Sequence, residues 1–267
     1  MTPATAPAFG TAPMVLRTAL LDRIGVPHCF TTRRGGVSHG IFKSLNFGNP
    51  AGLDAAVRDS PGNIARNFDL VLAELQVSGR RVVQVHQVHG CDVAVSEPAS
   101  LNLKDLQADA IVSDYSGEVL AVRVADCCPV LLASADGGLV AAVHAGWRGC
   151  VAGVVASTVA AMRERTSQRL VAAIGPCIGP QHFEVGPEVA EAFYQVFGPA
   201  TDVVTGERYN KVKINLQAAL RLQLGVLGIT DVETVAGCTV SSPDLYFSHR
   251  RDAGITGRMV GLIGARN

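Results

Sequence analysis

Two histidines and a cysteine stand out by where they fall: His89 in QVHG, Cys127 in ADCC and His144 in HAGWRG. Each closes an apolar run, where a strand hands over to a loop and functional side chains collect. They lie far apart along the chain, unlike the short spacings of structural zinc fingers. Two imidazoles and one thiolate make a three-donor set with an open fourth position, the pattern of a catalytic zinc site. The same atoms also suit a Cys–His nucleophilic pair without metal. Spacing alone leaves both readings open.

The elements that must position these residues follow from the pattern around them. Leu139 to Val143 reads as a buried strand with His144 at its end. Gly146 and Gly149 permit a tight turn that holds Trp147, the only tryptophan, and Arg148. Cys150 to Arg165 then reads as a small-residue helix. A strand-to-helix junction of this kind favours anions through its backbone N–H groups. Arg81 to Gly90 alternates as a strand, which puts His86 and His89 on opposite sides. His89 is the better placed, beside Gly90, and His86 reads as a surface or core histidine. Strands are expected at Ala110–Val112, Val119–Val124 and Val130–Ala133. Cys127 and Cys128 fall between the last two. Pro129 forces Cys128 toward an extended backbone, so the thiols should diverge, Cys127 beside Asp126 at the strand end and Cys128 in the packing.

Elsewhere, Ile64, Phe68, Val71, Leu72 and Leu75 recur at helical spacing within Gly62–Leu75. Leu170 to Gly186 reads as a strand, two Gly-Pro turns and another short strand. Helices are expected over Pro187–Phe197 and Asn215–Leu227, and strands over Val232–Ala236 and Met259–Ile263. Cys238-Thr239 and Phe247 to Asp252 form a polar cluster that either lines a site or makes a salt-bridged turn. Gly36-Val37-Ser38-His39-Gly40 formally matches a nucleophile elbow, but loop-like residues follow where a helix is required. His182-Phe183-Glu184 matches the H-x-E of nucleobase deaminases without the downstream PCxxC half. Phe30 to Phe47 is polar, Gly-rich and irregular. A loop of that length is read as a binding loop, with Arg33, Ser38 and Asn46 reaching a ligand.

The chain has 267 residues, 48% of them hydrophobic, enough for a well-filled core. Lys+Arg and Asp+Glu balance at 23 each, so net charge points to no nucleic acid and no anionic membrane as partner. Seven cysteines is an odd number without a disulfide spacing, which suits reduced thiols and a cytoplasmic protein. No apolar run approaches the ~18–20 residues of a membrane span. The first residues are Thr, Pro and Ala without a positive region. A frayed segment over 1–13 and a single domain over 14–267, working as a monomer, are expected.

At this point the chain resembles the YfiH-type proteins, also called the multicopper polyphenol oxidase or laccase-like family, and the purine nucleoside phosphorylase family that includes human FAMIN. The resemblance rests on RGGVSHG, SLNFG, QVHG, ADAIVSD, ADCCPVLL, HAGWRG, IGPCIGPQHFEVG and the closing YFSHRRD with TGR, in that order. It implies an α+β fold, a four-layer α/β/β/α sandwich with two mixed sheets. It implies zinc held by His89, Cys127 and His144. It implies phosphorolysis of adenosine, inosine and methylthioadenosine, and deamination of adenosine. Purine nucleosides and phosphate are then the partners. On that reading Cys127 serves the metal and the chemistry, and Asp126 shuttles protons. Arg148 with the turn N–H groups of 146–149 holds phosphate, and Arg33, Ser38 and Asn46 contact ribose or base. Bacterial members are also linked to peptidoglycan editing, which would suit a Cys–His hydrolase. Laccase activity would put Cu2+ in place of zinc, but a multicopper oxidase needs many more histidines than the seven present. Cys128, His39 and His86 are the departures from the family pattern.

Overall fold

Val119, Leu120, Ala121 and Val122 are all buried, yet alternate residues enter different cores: Val119 and Ala121 one, Leu120 and Val122 another. Val130 to Ala133 and Val140 to Val143 divide in the same way between the second core and a third. Strands apolar at every position are therefore two-faced strands covered on both sides. Three cores require four layers.

The computed structural model describes residues 12–97, 103–198, 202–207 and 210–267. In chain order its elements are β1 (Val15–Leu16), α1 (Ala19–Arg23), β2 (His28–Thr31), α2 (Pro61–Glu74), β3 (Arg81–Val83), β4 (Val93–Val95), β5 (Ala110–Ser113), β6 (Glu118–Val124), β7 (Cys128–Ser134), β8 (Val140–Ala145), α3 (Trp147–Ala152), α4 (Val154–Arg163), β9 (Leu170–Ile174), α5 (Pro187–Phe197), β10 (Val204–Glu207), β11 (Asn210–Ile214), α6 (Leu216–Val226), β12 (Val232–Thr234) and β13 (Met259–Ile263). One mixed sheet runs β1-β2-β13-β6-β3 and the other β12-β9-β7-β8-β5-β4; β10 and β11 form a separate ribbon. The two sheets pack face to face through Phe30, Leu120, Val122, Leu131, Ala142 and Ile263. Helix α2 covers the outer face of the first sheet with Phe68, Val71 and Leu72. Helices α3 to α6 cover the second with residues such as Val155, Val159, Phe193 and Leu220. At about 1.5–3 kcal/mol for each large apolar side chain fully buried, these layers are the main source of stability. This is the α+β four-layer α/β/β/α sandwich with two mixed sheets.

Local chemistry sets the helix ends. Pro61 opens α2, and the Ser60 hydroxyl accepts from the Asn63 N–H at 3.0 Å. Asn215 caps α6 in the same way, accepting from the Ala218 N–H at 3.2 Å.

Three expectations need correction. The helix expected over 150–165 is two helices, because Gly153 takes a left-handed backbone (φ 85°) between α3 and α4. The strand expected over 81–90 ends at Val83, and His89 lies in a turn beyond it with φ 63°. The short strand expected after the Gly-Pro turns is a single bridge, Glu184 to Lys213. Of the segment expected to fray, residues 1–11 lie outside the described residues, while Ala12 and Pro13 lie against Gly35.

The register of the second sheet gathers the site at one end. Pro129 on β7 pairs with His144 on β8, which brings Cys127, the residue before β7, alongside. Ala110 on β5 pairs with Val143, so Asp109 stands beside His144 from the other side.

Candidate active site

His89, Cys127 and His144 converge: one donor atom from each lies within 4.8 Å of the other two. The imidazole rings stand edge to face, with centroids 4.8 Å apart and planes at 77°. His144 is buried, Cys127 partly so, and His89 exposed. A three-donor set with one open side is thus formed, and its composition of two nitrogens and a sulfur suits zinc.

What holds it is a residue that the sequence did not single out. Asp109 is fully buried and accepts from His144 Nδ1 at 2.7 Å. The same carboxylate accepts the backbone N–H groups of His89 at 2.9 Å, Gly90 at 2.6 Å and Val88 at 3.2 Å. Its own carbonyl accepts the His144 N–H at 2.7 Å. One side chain therefore fixes the His144 ring and the turn that carries His89. With Nδ1 engaged, Nε2 of His144 is left for a metal, the usual arrangement of carboxylate, histidine and ion. The signal in the sequence was the acid of ADAIVSD, just ahead of an apolar strand.

The electrostatics follow from this packing. Burial alone would push the Cys127 thiol up, but the imidazoles of His144 and His89 outweigh it and bring it down to about 6. Burial opposes charge on His144, but Cys127 and Asp109 outweigh that and raise it to about 9. Burial would likewise raise the Asp109 carboxyl, yet the His144 hydrogen bond and the N–H groups of Gly90 and His89 hold it below the usual carboxylate range. The glycines of HAGWRG make the close approach possible. A Cβ on Gly146 would sit 3.0 Å from Cys127 Sγ and 3.0 Å from His89 Cδ2, and one on Gly149 would sit 2.9 Å from the Gly90 carbonyl.

The triad opens into a cavity of about 720 Å³. Trp147, Ile178, Phe183 and Leu216 give it apolar walls, and Arg123, Arg148, Arg250 and Arg258 give it positive charge. Asp126 also lines it, at φ 86°, a conformation uncommon for a side-chain-bearing residue. Its carboxylate accepts from the Thr239 hydroxyl at 2.5 Å and the Arg250 N–H at 2.6 Å. The polar cluster of 238–252 is thus both things expected of it. His249 and Arg250 line the cavity, while Arg251 pairs with Asp252 at 2.8 Å. His86 is exposed at the cavity's edge. The neighbouring thiols do diverge: Cys128 is buried and reaches the Gly175 carbonyl at 3.5 Å.

The structure does not bring Arg33, Ser38 and Asn46 to the cavity. Arg33 donates to the carbonyls of Lys43 and Pro243 and lies over the Phe247 ring at 4.4 Å. Ser38 donates to Asp59 at 2.5 Å and Asn46 donates to the same oxygen at 2.8 Å, both fully buried. Their loop is a packed scaffold whose polar side chains satisfy one another and the backbone. Arg148 does line the cavity, with its guanidinium 4.5 Å above the Trp147 ring. However, α3 behind it is a helix of only six residues, too short to lend much dipole.

Among the described residues no helix is long and apolar enough to cross a membrane. Comparison with known proteins gives a consistent result. The chain is 40% identical over 236 residues to purine nucleoside phosphorylase SCO2081 of Streptomyces coelicolor, covering 88% of this chain and 93% of that one. It is 37% identical over 241 residues to purine nucleoside phosphorylase YfiH of Escherichia coli, covering 90% and 93%. Among solved structures, Neisseria meningitidis protein NMB0706 superposes with TM-score 0.79 at 35% identity, over 96% of this chain and all of that one. Bacillus licheniformis YfiH, described as a hypothetical protein, gives 0.84 at 29% identity over 96% and 97%. The family model described as multi-copper polyphenol oxidoreductase laccase matches residues 27–266, and the chain belongs to that family, the one that includes YfiH.

Proposed function

We propose that this chain is a zinc-dependent purine nucleoside enzyme, folded as one domain over 14–267. It would cleave adenosine, inosine and methylthioadenosine with phosphate and deaminate adenosine. The observation that carries the reading is the convergence of His89, Cys127 and His144 in a cavity that combines apolar walls with four arginines. The names of the relatives, purine nucleoside phosphorylases, agree with it. The donor set fits zinc, with His89, Cys127 and His144 as its ligands and Asp109 orienting His144. When bound there, zinc supplies Lewis acidity at its open position.

The remaining work falls to the chain's own residues. Trp147, Phe183, Ile178 and Leu216 enclose the purine and exclude water. The arginines bind phosphate. In phosphorolysis a phosphate oxygen bonds to C1′ as the C1′–N9 bond breaks; the electron pair leaves on the purine, which takes up a proton. In deamination water adds at C6 and ammonia leaves. Asp126, the carboxylate lining the cavity, is the group assigned to proton handling, and its bonds to Thr239 and Arg250 hold it in place. The two reactions separate in an assay of adenosine and inosine with and without phosphate. Base release should need phosphate, inosine formation should not, and Cys127→Ala should abolish both. Unchanged turnover by that variant would refute the metal-site reading.

A second reading has one observation in its favour: the thiol of Cys127 lowered by His144, as in a nucleophilic pair. A thiol hydrolase would keep its activity through chelation and lose it to iodoacetamide. A multicopper oxidase is less well supported. Among the described residues there is one cluster of His, Cys, Asp and Glu able to hold a metal, where several would be needed.

A further inference from the structure

Four arginines line the cavity, but two of them are already occupied. Arg250 donates to the carbonyls of His182 and Glu184 and lies over Phe183. Arg148 lies over Trp147. Arg123 on β6 and Arg258 just before β13 are different. Their strands are antiparallel neighbours, with Arg123 paired to Val260, so Arg258, two residues from Val260, is a diagonal neighbour of Arg123 on the same face. The Arg123 guanidinium has no hydrogen bond or ion pair among the described residues. Arg258 donates from Nη1 to the carbonyls of Thr256 and Gly257, at 2.9 and 3.0 Å, which leaves its Nε and Nη2 without a partner among them. Burial weakens the hold of both on their protons; on Arg258 the charges of Cys127 and Asp126 act against this, while Arg123 adds to it. Two like charges, sunk into a cavity wall without a carboxylate bonded to either, make a site shaped for an anion with two or more oxygens.

Gly48 supports this assignment. A Cβ there would lie 3.3 Å from Arg123 Cδ, 3.6 Å from its Nη1 and 3.6 Å from Arg258 Cγ. The glycine of SLNFG is the floor on which the two side chains lie.

We propose that Arg123 and Arg258 form the subsite for inorganic phosphate, in place of Arg148 and the turn N–H groups. The assignment rests on the phosphorolysis reading above and names where the attacking anion sits. The tests use the zinc-loaded enzyme. Arg123→Gln, which breaks no bond within the protein, should raise the phosphate KM for inosine cleavage about 10- to 100-fold, the loss of one charge-assisted contact. The inosine KM should move less than threefold. Arg123→Lys should recover part of the loss, because it restores charge without the planar fork. Since Arg258→Gln also removes bonds to the backbone, Gly48→Ala serves as the second variant and should weaken phosphate by shifting Arg123, whose Cδ the new methyl would meet at 3.3 Å. A phosphate KM that responds to Arg148→Gln and not to Arg123→Gln overturns the proposal.

If the wild type cleaves no inosine, the phosphorolysis reading fails, and the subsite is judged by calorimetric titration of inorganic phosphate. Binding that disappears in Arg123→Gln sustains an anion site, whereas equal binding in both proteins, or none in either, overturns it. Adenosine 5′-monophosphate distinguishes the source of the anion. If it fills the site and excludes inorganic phosphate while bound as a substrate, the assignment to free phosphate is wrong.

Discussion

Replacing Asp109 by asparagine keeps the shape of the side chain and removes its ability to accept on both sides. The carboxylate receives N–H groups from His144 Nδ1 at 2.7 Å, His89 at 2.9 Å, Gly90 at 2.6 Å and Val88 at 3.2 Å. If the amide oxygen stays with His144 and His89, the new NH2 faces the N–H groups of Gly90 and Val88. Each buried donor left unpaired costs about 1–3 kcal/mol. If the amide turns over, its NH2 meets His144 Nδ1, which must then accept, and the ring proton moves to Nε2 where a metal would bind. Either arrangement weakens the site. Zinc affinity should fall about 10–100-fold, or about 1.4–2.8 kcal/mol, as read by competition with a chromophoric chelator. The metal-free protein should also melt earlier. Because the Asp109 carboxyl is held below its usual range, its contribution is present above about pH 4 and is lost as pH falls through the lower native value. The gap in Tm between wild type and variant should therefore close in acid. A variant that binds zinc within threefold of wild type and melts with it at pH 7 would show that Asp109 does not hold the site together.

Three further outcomes are expected. In chelated protein, iodoacetamide labelling of Cys127, resolved by peptide mass spectrometry, should be half-maximal near pH 6, against about 8.5 for an ordinary thiol; a midpoint above 8 contradicts the pairing with His144. Gly146→Ala places a methyl 3.0 Å from both Cys127 Sγ and His89 Cδ2, and strain of about 1–3 kcal/mol should lower the metal-free Tm and, by pushing the two donors apart, weaken zinc binding. Ser38→Ala removes a buried hydroxyl bonded to Asp59 and Asn67 and should cost about 1–3 kcal/mol of stability. Its nucleoside KM should not change, whereas a raised KM at unchanged Tm would return Ser38 to the binding site.

The three donors were legible because residue type and position at the ends of apolar runs carry their chemistry. Asp109 was not, since an acid ahead of a strand has no distinguishing pattern until the fold sets it between two histidines. Arg33, Ser38 and Asn46 were misplaced for a related reason. A long irregular loop suggests binding, but here Ser38, Phe42, Leu45, Asn46 and Phe47 are buried, and buried irregular backbone needs polar side chains to satisfy it. The balance of 23 positive and 23 negative residues is a whole-chain average that concealed four arginines around one cavity. Most strands and helices were read closely, because their apolar periodicity is strong. The misreadings at Val83 and Gly153 occur where a left-handed residue or a turn ends an element without interrupting the apolar pattern.

Two of the three donors lie on crossings between the sheets. His89 falls between β3 and β4, and Cys127 between β6 and β7, each pair having one strand in either sheet. His144, on β8, belongs to the six-stranded sheet. An ion gripping all three would rivet the sandwich at that end. Amide exchange should then slow on metal loading along residues 84–92 and 125–127, while the opposite end of the sheets exchanges as before. Occupancy would thus regulate how readily the layers part, and a protein stripped of its ion would come open first at its own reaction chamber.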